Sequence, residues 1–189
     1  MDPRPVSIGD RTQTPMTHAR RARLASPIGD LLMVADGDRL CGLHMIDDPS
    51  DPRLIGAESG GAGAFLDDVR AQLNAYFEGR ARRFDLPLVQ EGTDFQRKVW
   101  AELSRIPYGE AISYSELARR VGDPKASRAV GSANGRNPIA VIVPCHRVVA
   151  AGGRLGGFGG GLGRKLWLLQ HEAQVAGREA PASWARGLA

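Results

Sequence analysis

Between residues 22 and 47 the apolar positions fall in two runs separated by Asp36-Gly37-Asp38. Apolar runs on either side of Asp-Gly punctuation predict strands joined by a hairpin. The segment DPSDPRLIGAESGGAGA that follows is rich in Pro, Gly and Ser and predicts a loop. Phe65, Leu66, Val69, Leu73, Tyr76 and Phe77 then recur at helical intervals, and ARRFDLPLV predicts a further strand. The pattern changes at Gln90-Glu91-Gly92. From Thr93 it is helical. Thr93 and Gln96 stand as a capping box, Phe95, Val99, Trp100 and Leu103 make the inward stripe, and Pro107 ends the run. Ser113 caps a second helix, YSELARRV, with Glu116 at its third position and Gly122 as the residue just past its end. A third helix is expected over residues 125–134. AVIVP reads as a strand that ends at Pro144. Residues 162–173 predict a last helix, with Leu166, Trp167 and Leu169 facing the core and His171 on the surface.

These elements imply an α+β fold. A small N-terminal sheet-plus-helix domain (22–90) precedes a mainly helical C-terminal domain (91–175) that carries a helix-turn-helix and an active-site loop. Residues 1–21 are expected to form a flexible arm and residues 176–189 a tail. The first 90 residues carry no polar constellation that reads as a site.

Composition narrows the class. The chain has 189 residues, 42% hydrophobic and 24% charged, as in ordinary globular proteins. No apolar run approaches the roughly 20 residues of a membrane span, and the Arg-rich start has no apolar core of a secretory signal. Two cysteines, Cys41 and Cys145, lie far apart in segments of different character, which favours a reduced, cytoplasmic protein. With four scattered histidines (His18, His44, His146, His171) no zinc spacing exists, and no metal or cofactor is expected. Cys41, among Leu40, Gly42 and Leu43, reads as a small buried hydrophobe. The net charge of +4 permits a nucleic-acid partner without establishing one.

The stretch SYSELARRVGDPKASRAVGSANGRNP fits a helix-turn-helix, and equally an αα-hairpin in a core. A helix that reads the major groove presents long polar side chains to base edges. Here Ala126, Ser127, Ala129, Gly131 and Ser132 are small. Such a helix suits close approach to a minor groove and sequence-tolerant binding. Arg128 is the long cation of the run, either on a phosphate or pushed into the base stack.

VIVPCHRVV holds the candidate nucleophile. A cysteine attacks as thiolate and needs a base or positive field. His146 adjoins Cys145, yet neighbours in an extended segment point to opposite faces. Contact therefore requires a bend after Pro144, or a water between them. Gly152-Gly153, Gly156-Gly157 and Gly159-Gly160-Gly161 let the backbone wrap closely round a flat group, without the spacing of a P-loop or dinucleotide fingerprint. Glu172 stands near a helix C-terminus, where the dipole disfavours an acid; holding an imidazole in its useful tautomer is a function for it.

Taken together, IPYGEAISYSELA, RAVGSANGRNP, VPCHRVV and GGLGRKLWLLQHE resemble the O6-alkylguanine-DNA alkyltransferases over about residues 93–173. The N-terminal half agrees in length and in strand–helix order. The resemblance implies that Cys145 accepts the alkyl group, His146 deprotonates it through a water, Glu172 orients His146, and Asn137 braces the turn before the active-site segment. It implies DNA contacts from Tyr114, Ser115, Ala126, Ser127, Arg128, Ala129 and Gly131, with Arg128 replacing the extruded base. The pocket for the flipped base would be formed by Tyr114, Val148, Phe158, Gly159 and Gly160. Phe158 and Gly159 stand where some relatives have Tyr and Ser, which bears on tolerance for bulky adducts. The implied partner is double-stranded DNA carrying O6-alkylguanine, bound through the minor groove by a monomer, with cooperative assembly on DNA left open. A lesion binder without transfer, a helix-turn-helix regulator and a cysteine hydrolase are the competing readings.

Overall fold

In a computed structural model the described residues are 19–48, 50–57 and 63–185. Most of the expected arm (1–18) and the last four residues of the tail lie outside them. Strands β1 (Ala19–Leu24), β2 (Leu31–Asp36) and β3 (Arg39–Met45) form an antiparallel sheet in that order. The β2–β3 hairpin turns at Gly37-Asp38, where Gly37 takes φ +57°. Residues 19–21, expected in the arm, belong to β1: Ala19 pairs with Asp36 and Arg21 with Val34. The arginines hid this strand, although Ala22 and Leu24 alternate inward as an edge strand requires.

Helix α1 (Ala64–Phe77) buries Leu66, Val69, Leu73, Tyr76 and Phe77. They join one core cluster with Ala22, Met33 and Leu43 of the sheet. The strand expected in ARRFDLPLV does not form. Leu88 makes a single parallel bridge to Leu40, through Leu40 N to Pro87 O (2.9 Å) and Val89 N to Leu40 O (2.9 Å). Pro87 has no N–H with which to extend a ladder.

Helix α2 (Asp94–Ser104) starts in the anticipated capping box: Thr93 Oγ1 accepts from Gln96 N at 3.2 Å and Gln96 Oε1 accepts from Thr93 N at 2.9 Å. It stops at Ser104, short of Pro107. Strand β4 (Ile112–Ser113) leads into α3 (Tyr114–Arg120), capped by Ser113, and then α4 (Ser127–Gly135). Trp100 Nε1 donates to Ala133 O at 2.8 Å and ties α2 to α4. Strand β5 (Val148–Val149) pairs parallel with β4. Helix α5 (Leu162–Val175) and the short α6 (Ala182–Ala185) complete the fold.

The expected strand before Pro144 is absent. Residues 139–143 form a coil of tight turns, with Ile142 N on Ala140 O (2.8 Å) and Val143 N on Ile139 O (3.0 Å). Val141 sits at φ +69°, a strained value for a β-branched residue. The apolar run reported burial, and burial alone does not choose a strand. On α5 the inward residues are Lys165, Leu168, Leu169, Glu172 and Ala173, while Leu166 and Trp167 are half-buried. The tail folds back: Trp184 is buried against Val149, Leu155, Leu169 and Ala173. The larger core cluster runs through both halves of the chain.

Candidate active site

Pro144 ends the coil, and residues Cys145–Arg147 form one turn of 3-10 helix, with Arg147 N on Pro144 O at 3.0 Å. This is the anticipated bend; it turns His146 away from the extended alternation. Asn137 holds the coil from inside. Its Nδ2 donates to Val143 O (2.8 Å) and Ile139 O (3.3 Å), and its Oδ1 accepts from Ile139 N (3.1 Å) and Gln90 Nε2 (3.1 Å). The Cys145 carbonyl accepts from buried Asn134 Nδ2 at 3.3 Å.

His146 is fully buried, and its Nε2 lies 2.9 Å from Glu172 Oε1. The same carboxylate accepts from Tyr76 Oη at 2.7 Å, Gly109 N at 3.1 Å, and Arg147 Nε (2.8 Å) and Nη2 (2.9 Å). Burial works to raise the Glu172 carboxyl, but the charges and hydrogen bonds of His146 and Arg147 outweigh it and hold it well below the usual carboxylate range. An ionised carboxylate only accepts, so Nε2 carries the imidazole proton. The Nδ1 lone pair is then the basic end, and Nδ1 is buried without a hydrogen-bond partner among the described residues. Burial also pushes His146 below its usual value despite Glu172, so the resting imidazole is neutral.

Burial pushes the Cys145 thiol up; Asn137, Lys165 and the backbone N–H groups of Cys145 and His146 temper that rise. The resting group is therefore a thiol that needs a base. Lys165 is buried beside it. Its Nζ donates to Val148 O (2.6 Å) and Gly157 O (3.4 Å), and burial pulls its pKa down to about 8 against the opposing pull of Cys145.

Cys145 opens on a cleft of about 260 Å³. Asn137, Phe158, Gly159 and Gly160 line it, as do Asn134, Gly135 and Ala140. Leu43, His44, Met45, Asp47 and Arg53 close it from the N-terminal half. Tyr114 and Val148, both expected in the pocket, are not among the lining residues. The Tyr114 ring packs between α4 and the glycine loop, near Gly131 and Gly156, and its hydroxyl donates to Gly157 O at 3.3 Å. Val148 is buried, with its carbonyl taken by Lys165. On α4, Arg128 and Ala129 are exposed, Ser127 and Gly131 are half-buried, and Val130, Ala133 and Asn134 face the core. Ala126, its N-cap, is half-buried, and Ser115 on α3 is exposed. The small residues and Arg128 thus share the outer side.

Several expectations need correction. His171 is not a surface residue: it stacks on Trp167 at 4.8 Å, and its Nε2 lies 2.9 Å from Tyr76 O. Cys41 is half-buried, and its Sγ lies 3.4 Å from Val34 O. The N-terminal half does reach the site, through Tyr76 and the residues of β3. Tyr76 was legible only as core, although a buried tyrosine hydroxyl needs a partner. Lys165 is not legible from its immediate neighbours, although it lies on the apolar stripe of α5 seven residues from Glu172. Polar residues on a buried stripe are the signal for both. No cluster of metal-ligand residues occurs among the described residues, and no helix there is long and apolar enough to cross a membrane.

Two family models cover this architecture. The 6-O-methylguanine DNA methyltransferase ribonuclease-like domain matches residues 20–90, and the DNA binding domain of the same name matches residues 94–174. The methylated-DNA–protein-cysteine methyltransferase of Mycobacterium leprae is 50% identical over 159 residues, 83% of this chain and 93% of its own length. That of Methanosarcina acetivorans is 46% identical over 149 residues, 78% and 94% of the two chains. The crystal structure of Mycobacterium tuberculosis O6-methylguanine methyltransferase superposes with a TM-score of 0.75 at 47% identity, covering 87% of this chain and 96% of that one. The Mycobacterium tuberculosis protein solved in complex with DNA gives 0.73 at 47% identity, covering 86% and 96%. An α+β chain with a DNA-binding helical half and a buried cysteine–histidine–carboxylate site defines a class of DNA-repair proteins. This chain belongs to the 6-O-methylguanine DNA methyltransferase family, DNA-binding repair enzymes that transfer a methyl group from methylated DNA to a protein cysteine.

Proposed function

We propose that the chain flips O6-alkylguanine, chiefly O6-methylguanine, out of duplex DNA and transfers the alkyl group irreversibly to its own Cys145. The observation that carries this reading is the chain of contacts behind the thiol. A cysteine open to a cleft is followed by a neutral imidazole whose Nε2 is bound to an ionised, five-times hydrogen-bonded carboxylate.

The alkyl carbon is hidden in the duplex, so the nucleotide leaves the stack at a cost of a few kcal/mol. The small outer residues of α4 admit the helix to the minor groove, with Ser115 and Tyr114 beside it, and Arg128 fills the gap in the stack. His146 Nδ1 takes the Cys145 proton through a water. Sulfur attacks the alkyl carbon, the carbon–O6 bond breaks, and its electron pair goes to the purine. The purine regains one proton, so a thiol and an O6-alkylguanine become a thioether and guanine. Glu172 stabilises the imidazolium formed on the way. Asn137 keeps the coil in shape, and the backbone near Gly159, which lines the cleft, borders the base. A thioether offers no leaving group that a neighbouring base can expel, so each molecule acts once.

Incubation with a duplex carrying O6-methylguanine, followed by intact mass and peptide mapping, tests this. One methyl on Cys145 is expected; no shift, or a methyl on Cys41, refutes it. Cys145→Ser should abolish transfer and keep DNA binding. Binding isotherms on long duplex separate a monomer from cooperative assembly.

A further inference from the structure

A side chain from the N-terminal sheet stands in the wall of the cysteine cleft. Met45 is the last residue of β3, is half-buried, and lines the same cleft as Cys145. Its thioether fills the space that a side chain at position 160 would need. A Cβ placed on Gly160 would fall 1.9 Å from Met45 Sδ and 3.1 Å from Phe158 Cε1. Gly160 does not adopt a left-handed φ, so its missing side chain answers to this contact and not to the backbone.

The frame around the contact is held by one guanidinium. Arg164 donates to Gly160 O (3.2 Å), Ile28 O (2.6 Å) and Ile46 O (3.1 Å), and pairs with Asp47. This joins the glycine loop and the start of α5 to the backbone immediately after Met45. The spacing between β3 and the loop is therefore set, while the unbranched methionine side chain keeps three rotatable bonds. The wall has a fixed frame and a movable surface.

We propose that Met45 is a specificity-determining residue, the movable wall that limits how large an alkyl group can reach Cys145. The proposal rests on the alkyl-transfer reading above. A methyl adduct fits with the thioether in place. A benzyl adduct requires Met45 to swing off Gly160, or to be smaller.

The test compares single-turnover rates of the full chain on duplexes carrying O6-methylguanine and O6-benzylguanine, read by intact mass at Cys145. A methylene in an apolar pocket discriminates by about 10–200-fold. Met45→Ala should therefore raise the benzyl-to-methyl rate ratio by about tenfold or more, and Met45→Phe should lower it by a similar factor. An unchanged ratio in both variants, with Cys145 still methylated, overturns the role of Met45 and leaves the transfer reading standing. Absence of methyl on wild-type Cys145 overturns the transfer reading itself. Should Met45→Ala fail to fold, Met45→Phe decides alone, and an unchanged ratio there overturns the proposal.

Discussion

Replacing Glu172 by Gln separates what the carboxylate does for chemistry from what it does for stability. The side chain is fully buried and serves five donors. A glutamine amide matches the carboxylate in shape but presents an N–H₂ on one side. Placed against His146 Nε2, that group donates, so the imidazole proton moves to Nδ1, which then no longer offers the basic lone pair. A tautomer trapped in this way costs about 10⁴-fold in the serine-protease case. Here a loss of about 10²–10⁴ in the methyl-transfer rate is expected, because a thiol ionises more readily than a serine hydroxyl. Arg147, also buried, loses its counter-charge, and breaking a buried pair costs about 3–5 kcal/mol. For a chain of this size that is a fall of roughly 6–20 °C in Tm. The double variant Arg147→Met/Glu172→Gln removes both charges and should recover much of the stability without recovering the rate. The assay is single-turnover transfer read by mass, with Tm from calorimetry on the same samples. A folded Glu172→Gln protein that transfers within a few-fold of wild type refutes the tautomer argument.

The rate should also depend on pH in a defined way. The His146 pKa is lowered from 6.5 and must be below the working pH for the imidazole to accept a proton. Transfer should thus rise as pH climbs through a value below 6.5 and then stay level; His146→Ala should lose that limb and rise only at high pH, where the raised thiol ionises by itself. Because the Glu172 pKa is lowered, its contribution to stability is complete above its unfolded value near 4.5 and is lost as pH falls through the lower folded value, which acid denaturation of wild type against Glu172→Gln will show. Tyr76→Phe removes one donor from a buried carboxylate and should destabilise by about 1.5–3 kcal/mol in urea unfolding, with Cys145 still methylated. Trp184→Ala should cost about 3–5 kcal/mol, the signature of a tail that belongs to the core. Arg128→Ala should slow repair of duplex DNA more than reaction with a free O6-alkylguanine base; equal losses would count against a base-flipping role.

The sequence by itself determined the elements whose signals are local. The capping box at Thr93, the Ser113 cap, the helical stripe of residues 65–77 and the Asp-Gly hairpin all depend on neighbours within one turn, and all stand in the structure. Cys145, His146 and Glu172 were candidates in the sequence as well, through the Pro-Cys-His-Arg turn and the resemblance to the alkyltransferases, and the fold brings His146 and Glu172 together at 2.9 Å. Inferences from apolarity alone failed. Residues 139–143 and ARRFDLPLV are apolar because they are buried, and whether buried chain forms a strand depends on a partner edge that only the assembled fold supplies. Tyr76, Lys165 and Met45 look like stripe or strand residues until α1, α5 and β3 are packed against the cysteine turn. The Tyr76–Glu172 contact alone spans 96 residues, and no local pattern encodes a distance of that kind. The chain thus named the candidate groups, while the tertiary structure decided which residues surround and hold them, because packing across distant segments has no local signature.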